Sequence, residues 1–354
     1  SNTIIGAFAG DSLTTGNNNV AIGRSALSLE DAHGTNVAVG FATLANLNAG
    51  ADALNTALGY AAGNLMTTGT FNTLVGGEAG DALTTGVSNV ALGYAALSTA
   101  QTSNYNTAIG ERALHLNVNS NRNTALGFQA LYSHTTANAT DSYNTAVGYS
   151  AGSAITTSTE NTLIGGLAGD ALTTGSANVA VGYLALSAED GHGTNTAIGF
   201  KTLRVQNAGA NAFNVAVGYQ AGENVSTGVQ NVLIGSLAGD ALTTGAQNTA
   251  VGYGALTQED ANGRNVAIGC FTLDALNAGA DAYNTAVGYA AGLTMTTGVQ
   301  NVLMGGLAGD ALTTGSDNVA LGYAALSAED TGGRSIAIGR AALLSQNNNA
   351  SNYN

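Results

Sequence analysis

The stretch NVLIGSLAGDALTTG occupies residues 231–245. Near-copies begin at Asn72 (NTLVGGEAGDALTTG), Asn161 (NTLIGGLAGDALTTG) and Asn301 (NVLMGGLAGDALTTG). A looser copy opens the chain at Asn2 (NTIIGAFAGDSLTTG). The element common to all of them is shorter. The pentad N-[TV]-[AIL]-[IVLM]-G begins at residues 2, 19, 36, 55, 72, 89, 106, 123, 144, 161, 178, 195, 214, 231, 248, 265, 284, 301 and 318, and a variant begins at Ser335. Most steps equal the one from Asn231 to Asn248. The steps from Asn36, Asn195 and Asn265 are two longer, and the step from Asn123 to Asn144 is the longest. Helical repeats need about 33 residues or more. Each repeat here carries a β-branched run and glycine turns, with no helical periodicity. The spacing predicts an all-β chain, a parallel β-solenoid (β-roll) of about 20 coils of about 17–21 residues each. Successive coils would stack about 4.8 Å apart.

Numbering each coil from its anchor Asn assigns a task to each position. Position 5 is Gly in all twenty coils, which points to a backbone angle or close approach that a Cβ would forbid. The anchor Asn is expected to stack from coil to coil, its amide bonding along the axis. Asn161, Asn178, Asn231 and Asn248, with Gly165, Gly182, Gly235 and Gly252, represent this structural ladder. Positions 2 and 4 are β-branched or large and are expected to face the core. Position 3 is Ala in fifteen coils and Leu or Ile in five, and it should point the other way. A strand apolar on both sides is buried on both sides, so the position-3 face is expected to meet another chain or another sheet of the same chain, and small Ala there favours an oligomer. Positions 9 and 12 compensate. Gly63, Gly80, Gly169 and Gly239 pair with Met66, Leu83, Leu172 and Leu242, whereas Leu27, Leu186, Leu256 and Leu326 pair with Glu30, Glu189, Glu259 and Glu329. One apolar plug per coil is therefore expected.

The coils group in fours, which gives a super-repeat of about 70 residues. Its copies run approximately over 2–71, 72–160, 161–230, 231–300 and 301–354. The second set holds an additional, longer coil that starts at Asn123. The whole of 1–354 reads as a single continuous solenoid. Asn354 falls where the next anchor after Ser335 belongs, so the chain is expected to be a fragment of a longer repeat protein.

Composition excludes several classes of function. Charged residues make up 8% of the chain, against roughly 25% in an ordinary domain. Eight Lys and Arg against a net charge of −14 leave nothing to neutralise a row of phosphates, so no nucleic-acid partner is expected. No apolar run approaches the ~20 residues of a membrane span, so no membrane insertion is expected. The single cysteine, Cys270, excludes an internal disulfide.

Four residue rows are candidate sites. Tyr60, Tyr94, Tyr149, Tyr183, Tyr219, Tyr253, Tyr289 and Tyr323 follow the fixed Gly, with Phe41, Phe128 and Phe200 in the same place. Such a row could seal a chain–chain interface or stack on sugars. Asp81, Asp170, Asp240 and Asp310, with Glu189, Glu259 and Glu329 one coil later, could share a Ca²⁺ ion. The competing expectation makes them solvated turn residues and leaves the chain without a cofactor. The NAGA loops at 48–51, 207–210 and 277–280 should bulge from the coil. Adjacent threonines, as in Thr243–Thr244, suit a turn better than a flat ice-binding row. His33, His115, His134 and His192 form no ladder, and no nucleophile–base constellation is present, so no enzyme activity is expected.

NVAVGYQAG (214–222) and NTALGFQALYSHTTANATDSYNTAVGY (123–149) resemble the NTAIGYxAL-type repeats of bacteriophage tail fibres and related bacterial surface proteins. The N-x-A-[IV]-G core is more distantly similar to the head repeats of trimeric autotransporter adhesins. The resemblance implies a homotrimeric, extracellular, non-enzymatic fibre. The expected function is the structural shaft of a virion or cell-surface appendage, either a phage tail fibre or a microbial surface fibre. Its partners would be its own copies and a host or environmental surface, including a glycan. The alternative is a glycan- or ice-binding solenoid module, or a Ca²⁺-binding surface adhesin.

Overall fold

The computed structural model describes residues 1–347 and is all-β, with no helix among the described residues. It is a parallel β-solenoid of about twenty turns. The chain divides into two compact units, Ser1–Ala177 and Asn178–Asn354. The position of Asn354, expected to open a further coil, lies outside the described residues.

Each coil contributes one three-residue strand at positions 2–4. In the first unit these run from Thr3–Ile5 to Thr162–Ile164, and in the second from Val179–Val181 to Ile336–Ile338. Neighbouring strands are parallel and in register, as in Val232↔Thr249, Leu233↔Ala250 and Ile234↔Val251. The longest coil, opened by Asn123, spends its extra length on a second short strand, Thr140–Asp141, which pairs in parallel with Ser120–Asn121 of the preceding coil.

Hydrogen bonds between coils continue through the turns. Around the coil that opens at Asn231, Gly235 N–H donates to Val217 O (2.8 Å), Leu237 N–H to Tyr219 O (2.9 Å) and Gly239 N–H to Ala255 O (2.9 Å). At the end of that coil Gln247 N–H donates to Val229 O (3.0 Å). Some of these bonds point to the coil before and some to the coil after. The backbone achieves this alternation by turning left-handed at positions 7 and 9 and at the last position, as at Leu237 (φ 60°), Gly239 (φ 57°) and Gln247 (φ 60°). A left-handed residue other than glycine costs about 1–2 kcal/mol. A buried amide without a partner costs a comparable amount, and the bonds between coils remove that penalty.

The direction of the strand's faces is the reverse of the sequence expectation. Position 3 points inward: Ala21, Leu74, Ala146, Leu233 and Ala250 are fully buried. Positions 2 and 4 point outward, and Leu58, Leu92, Ile164, Ile198, Ile234 and Met304 are exposed large apolar residues. So short a coil encloses a narrow interior, and Ala at position 3 with one larger plug fills it. Positions 9 and 12 do supply that plug, and the longer coils opened by Asn36 and Asn265 bury two, Leu44 with Leu47 and Leu273 with Leu276. Leu242 and Leu256, from the two coil types, are both fully buried. A Cβ on Gly239 would meet Leu242 Cδ1 at 2.8 Å, so that glycine clears space for the plug.

The position-5 glycine carries the tightest constraint. Gly235 has φ +135°, and a Cβ there would lie 2.4 Å from the carbonyl oxygen of Gly252 in the next coil. By contrast Gly279, in a NAGA loop, has φ +69° with no atom within 4 Å of the Cβ position. Gly279→Ala should cost only the left-handed strain, about 1–2 kcal/mol. Gly235→Ala should cost about 3 kcal/mol or more, because coil separation is added to strain. Denaturant unfolding of the two variants checks this, and equal losses would show that stacking at position 5 is not limiting.

Candidate functional site

The anchor Asn side chain works in two directions. Along the axis, Asn231 Oδ1 accepts the backbone N–H of Asn248 (2.9 Å), and Asn178 Oδ1 accepts that of Asn195 (3.0 Å). In the first unit the backbone N–H of Asn161 donates to Asn144 Oδ1 (3.0 Å). Across the coil, Asn231 Nδ2 donates to Gly245 O (2.9 Å) and so clasps position 1 to position 15 of the same turn. Asn248 Nδ2 makes the same bond to Asn262 O (3.1 Å). Gly165, Gly182, Gly235 and Gly252 follow these strands, all at φ between 135° and 140°.

The eight tyrosines after the fixed glycine are exposed, at 48–60%. Within each unit they stack where aromatics adjoin. Phe41 lies on Tyr60 and Phe128 on Tyr149, both with ring centres 5.4 Å apart. Phe200 lies between Tyr183 (5.8 Å) and Tyr219 (5.4 Å). A second aromatic row, directly before the anchor Asn, escaped the sequence reading: Phe71, Tyr105, Tyr143, Phe213 and Tyr283 are all exposed. This last position of one coil shares the outward face with positions 2, 4 and 6 of the next. FNVAVGY (213–219) therefore presents Phe213, Val215, Val217 and Tyr219 together, an apolar strip bordered by rings. Arg122 sits over Tyr105 (4.9 Å) and pairs with Asp141 (2.8 Å), and Arg264 sits over Tyr283 (5.4 Å) and pairs with Asp281.

The acidic rows do not occupy one environment. Glu30, Glu189, Glu259 and Glu329 are 0% exposed, which corrects the expectation of solvated turn residues. With Leu at position 9 as the plug, the Glu stem takes the inward place of Leu at position 12. Its carboxylate then caps the backbone three residues on. Oε1 accepts from His33 N–H (3.3 Å), His192 N–H (3.2 Å), Asn262 N–H (3.2 Å) and Gly332 N–H (2.8 Å). Oε2 of Glu30, Glu189 and Glu259 is buried without a hydrogen-bond partner. Burial raises the pKa of all three, that of Glu189 to about 7.

Asp81, Asp170 and Asp240 lie partly buried in the turn, and burial raises their pKa as well. Asp310 Oδ1 instead accepts from Ser327 Oγ. Among the described residues the ligand-bearing side chains gather elsewhere, as Glu30–Asp31–His33 and Glu189–Asp190–His192. The Asp81, Asp170, Asp240 and Asp310 row belongs to neither group. His33 and His192 both fall at position 15, three residues after the buried Glu. Aligning the histidines by coil position reveals that shared place.

Gly50, Gly209 and Gly279 of the NAGA loops face open space. The first threonine of a TTG turn is tied to the next coil, as Thr243 Oγ1 is to Asp260 O (2.8 Å). No helix of the described residues is long and apolar enough to cross a membrane. Comparison with protein-family models, with curated proteins and with solved structures returns no match.

The buried carboxyls carry a pH signature. A raised folded-state pKa means that the folded chain holds these protons more tightly than the unfolded chain. Their contribution is fully present below the ordinary value of 4.5 and is lost as pH rises through the folded value, about 7 for Glu189. His134 acts oppositely: burial lowers its pKa from 6.5 to about 4, so its contribution is present above 6.5 and fades as pH falls. The melting temperature of the wild type relative to Glu259→Gln should therefore fall as pH rises from the ordinary carboxyl value towards neutrality. A pH-independent difference would place Glu259 in water.

Proposed function

We propose that the chain forms the non-catalytic shaft of an extracellular fibre, on a phage tail or a microbial surface, and that its copies associate as a homotrimer. The carrying observation is the outward strand face. In each unit it is lined by Val, Ile and Leu at position 4, with Met304 in the second unit, and by Val, Ile or Thr at position 2, bordered by rings at position 6 and before the anchor. A contiguous apolar strip of this kind on a soluble chain marks an association surface. The opposite turns are polar and acidic, which suits a surface left in water. The resemblance of the NVAVGYQAG and NTALGFQAL repeats to tail-fibre repeats supports the same reading. So does a solenoid whose every coil repeats one plan, because such a scaffold presents identical surfaces at fixed intervals.

The test separates outward from inward positions. Ile198→Lys with Val217→Lys places two charges on the strip and none in the interior. Sedimentation equilibrium should show three chains for the wild type and one for this variant, with an unchanged circular dichroism spectrum. Ala216→Lys, one residue from Val217 but facing inward, should instead lose the spectrum. A wild type that sediments as a single chain would overturn the trimer.

A further inference from the structure

The turns Glu30–Asp31–Ala32–His33 and Glu189–Asp190–Gly191–His192 are the same four-residue device in the two units. In both, the ligand atoms of Glu, Asp and His lie within 4.8 Å of one another. His33 Nδ1 is 3.9 Å from Glu30 Oε1, and His192 Nδ1 is 3.7 Å from Glu189 Oε1. Neither Nδ1 has a hydrogen-bond partner, and neither does Oε2 of the fully buried glutamate beside it. Two unsatisfied polar atoms of complementary type, occurring together twice, are costly unless something binds them.

The backbone holds the histidine in place from both sides. Its N–H donates to the glutamate, and its carbonyl accepts from the anchor Asn, Asn19 Nδ2 to His33 O at 3.2 Å and Asn178 Nδ2 to His192 O at 3.3 Å. The aspartate is likewise set by its own turn: Oδ1 accepts from Ala32 N–H in the first unit and from Gly191 N–H in the second, both at 2.5 Å. Glutamate approaches from the interior, whereas Asp and His stand at the partly exposed mouth, open to a completing water.

We propose that each of these two turns binds one divalent cation of the zinc type, through His Nδ1 and the Glu and Asp carboxylates, with water completing the shell. Ligands about 2.0–2.2 Å from a tetrahedral Zn²⁺ stand about 3.4 Å apart, and the Nδ1–Oε1 distances of 3.9 and 3.7 Å need only a small closure. One imidazole with two carboxylates favours Zn²⁺ over Ca²⁺ or Mg²⁺, which prefer all-oxygen shells. The third and fourth copies of the device serve as internal controls. Asn262 replaces the histidine, and its Nδ2 donates to Glu259 Oε1 (3.1 Å); Glu259 Oε2 stays unpartnered as in the first two copies, so the unpartnered His Nδ1 is what sets those two apart. Gly332 has no side chain to offer. Cation binding at these turns is independent of whether the chain builds a fibre.

Titration of the full chain with ZnCl₂ in a calorimeter should give two ions per chain. His33→Asn should leave one, and His33→Asn with His192→Asn none. Asparagine is the residue that the third copy already carries, so both variants should keep the fold. Asn262→His should raise the number to three. Glu189→Gln should weaken the second site about tenfold or more, and CaCl₂ should show no dependence on any histidine variant. Co²⁺ as a probe should give the visible absorption of a tetrahedral site with nitrogen ligation. Two zinc ions retained by the double histidine variant, or no zinc bound by the wild type, would overturn the assignment. The second outcome would leave the His–Glu contacts as simple ion pairs.

Discussion

The stacking of one glycine on the glycine of the next coil is the contact on which the remaining geometry depends. At Gly235 the chain leaves its strand at φ +135° with its Cβ direction aimed at the carbonyl of Gly252. No side chain fits there, so adjacent coils close to strand spacing along the whole corner. Once that spacing is set, the amides in the turns find carbonyls within reach in the coil before or after. The left-handed residues at positions 7 and 9 and at the end of the coil point each amide at its partner. Many are not glycine: Leu237, Gln247, Leu256 and Arg264 all adopt this region. The turn is held by hydrogen bonds between coils and not by the local preference of its residues.

Close stacking also makes the interior narrow. A strand of three residues, a clasp from position 1 to position 15 and one plug fill it completely. Alanine suits the inward position because the opposing turn lies so near. The larger β-branched and aliphatic residues then go outward, where they make an apolar face with nothing of their own coil to cover it. The reversal of faces and the exposed strip are consequences of one dimension, the cross-section of so short a coil.

The fold was legible because the anchor recurs at one spacing, and a solenoid is the architecture that turns so short a period into structure. The position-5 glycine and the exchange between positions 9 and 12 were legible too, since both appear as strict residue rules. The facing of the strand is not legible from size, because the larger residues at positions 2 and 4 point outward. Ala at position 3 was the better sign, as it alone is small enough for the interior in most coils. The glutamates were misread for a related reason. Glu30 and Asp31 are adjacent and look alike on paper, yet one is fully buried and the other lies partly exposed. The exchange with Leu242 marks Glu259 as an interior residue, although its charge suggests a solvated turn. The histidines share no spacing along the chain, and only their place in the coil brings His33 and His192 into one position.

Position 12 shows what the repeat permits. In coils with Leu at position 12, position 15 is glycine, as in Gly245, where a Cβ would meet Asn262 O of the next coil at 2.3 Å and Leu242 Cδ2 at 2.7 Å. In coils with Glu at position 12, the carboxylate accepts the amide of position 15, and three of these four coils carry a side chain there. His33, His192 and Asn262 all stand there, each with its backbone pinned by the glutamate on one side and the anchor asparagine on the other. The buried glutamate thus differs from leucine in two ways. In three of its four occurrences it stands beside a side chain where leucine coils keep glycine, and it places a buried oxygen beside that residue. A scaffold that is otherwise closed to variation gains a built position for polar chemistry, at the cost of desolvating one carboxyl group.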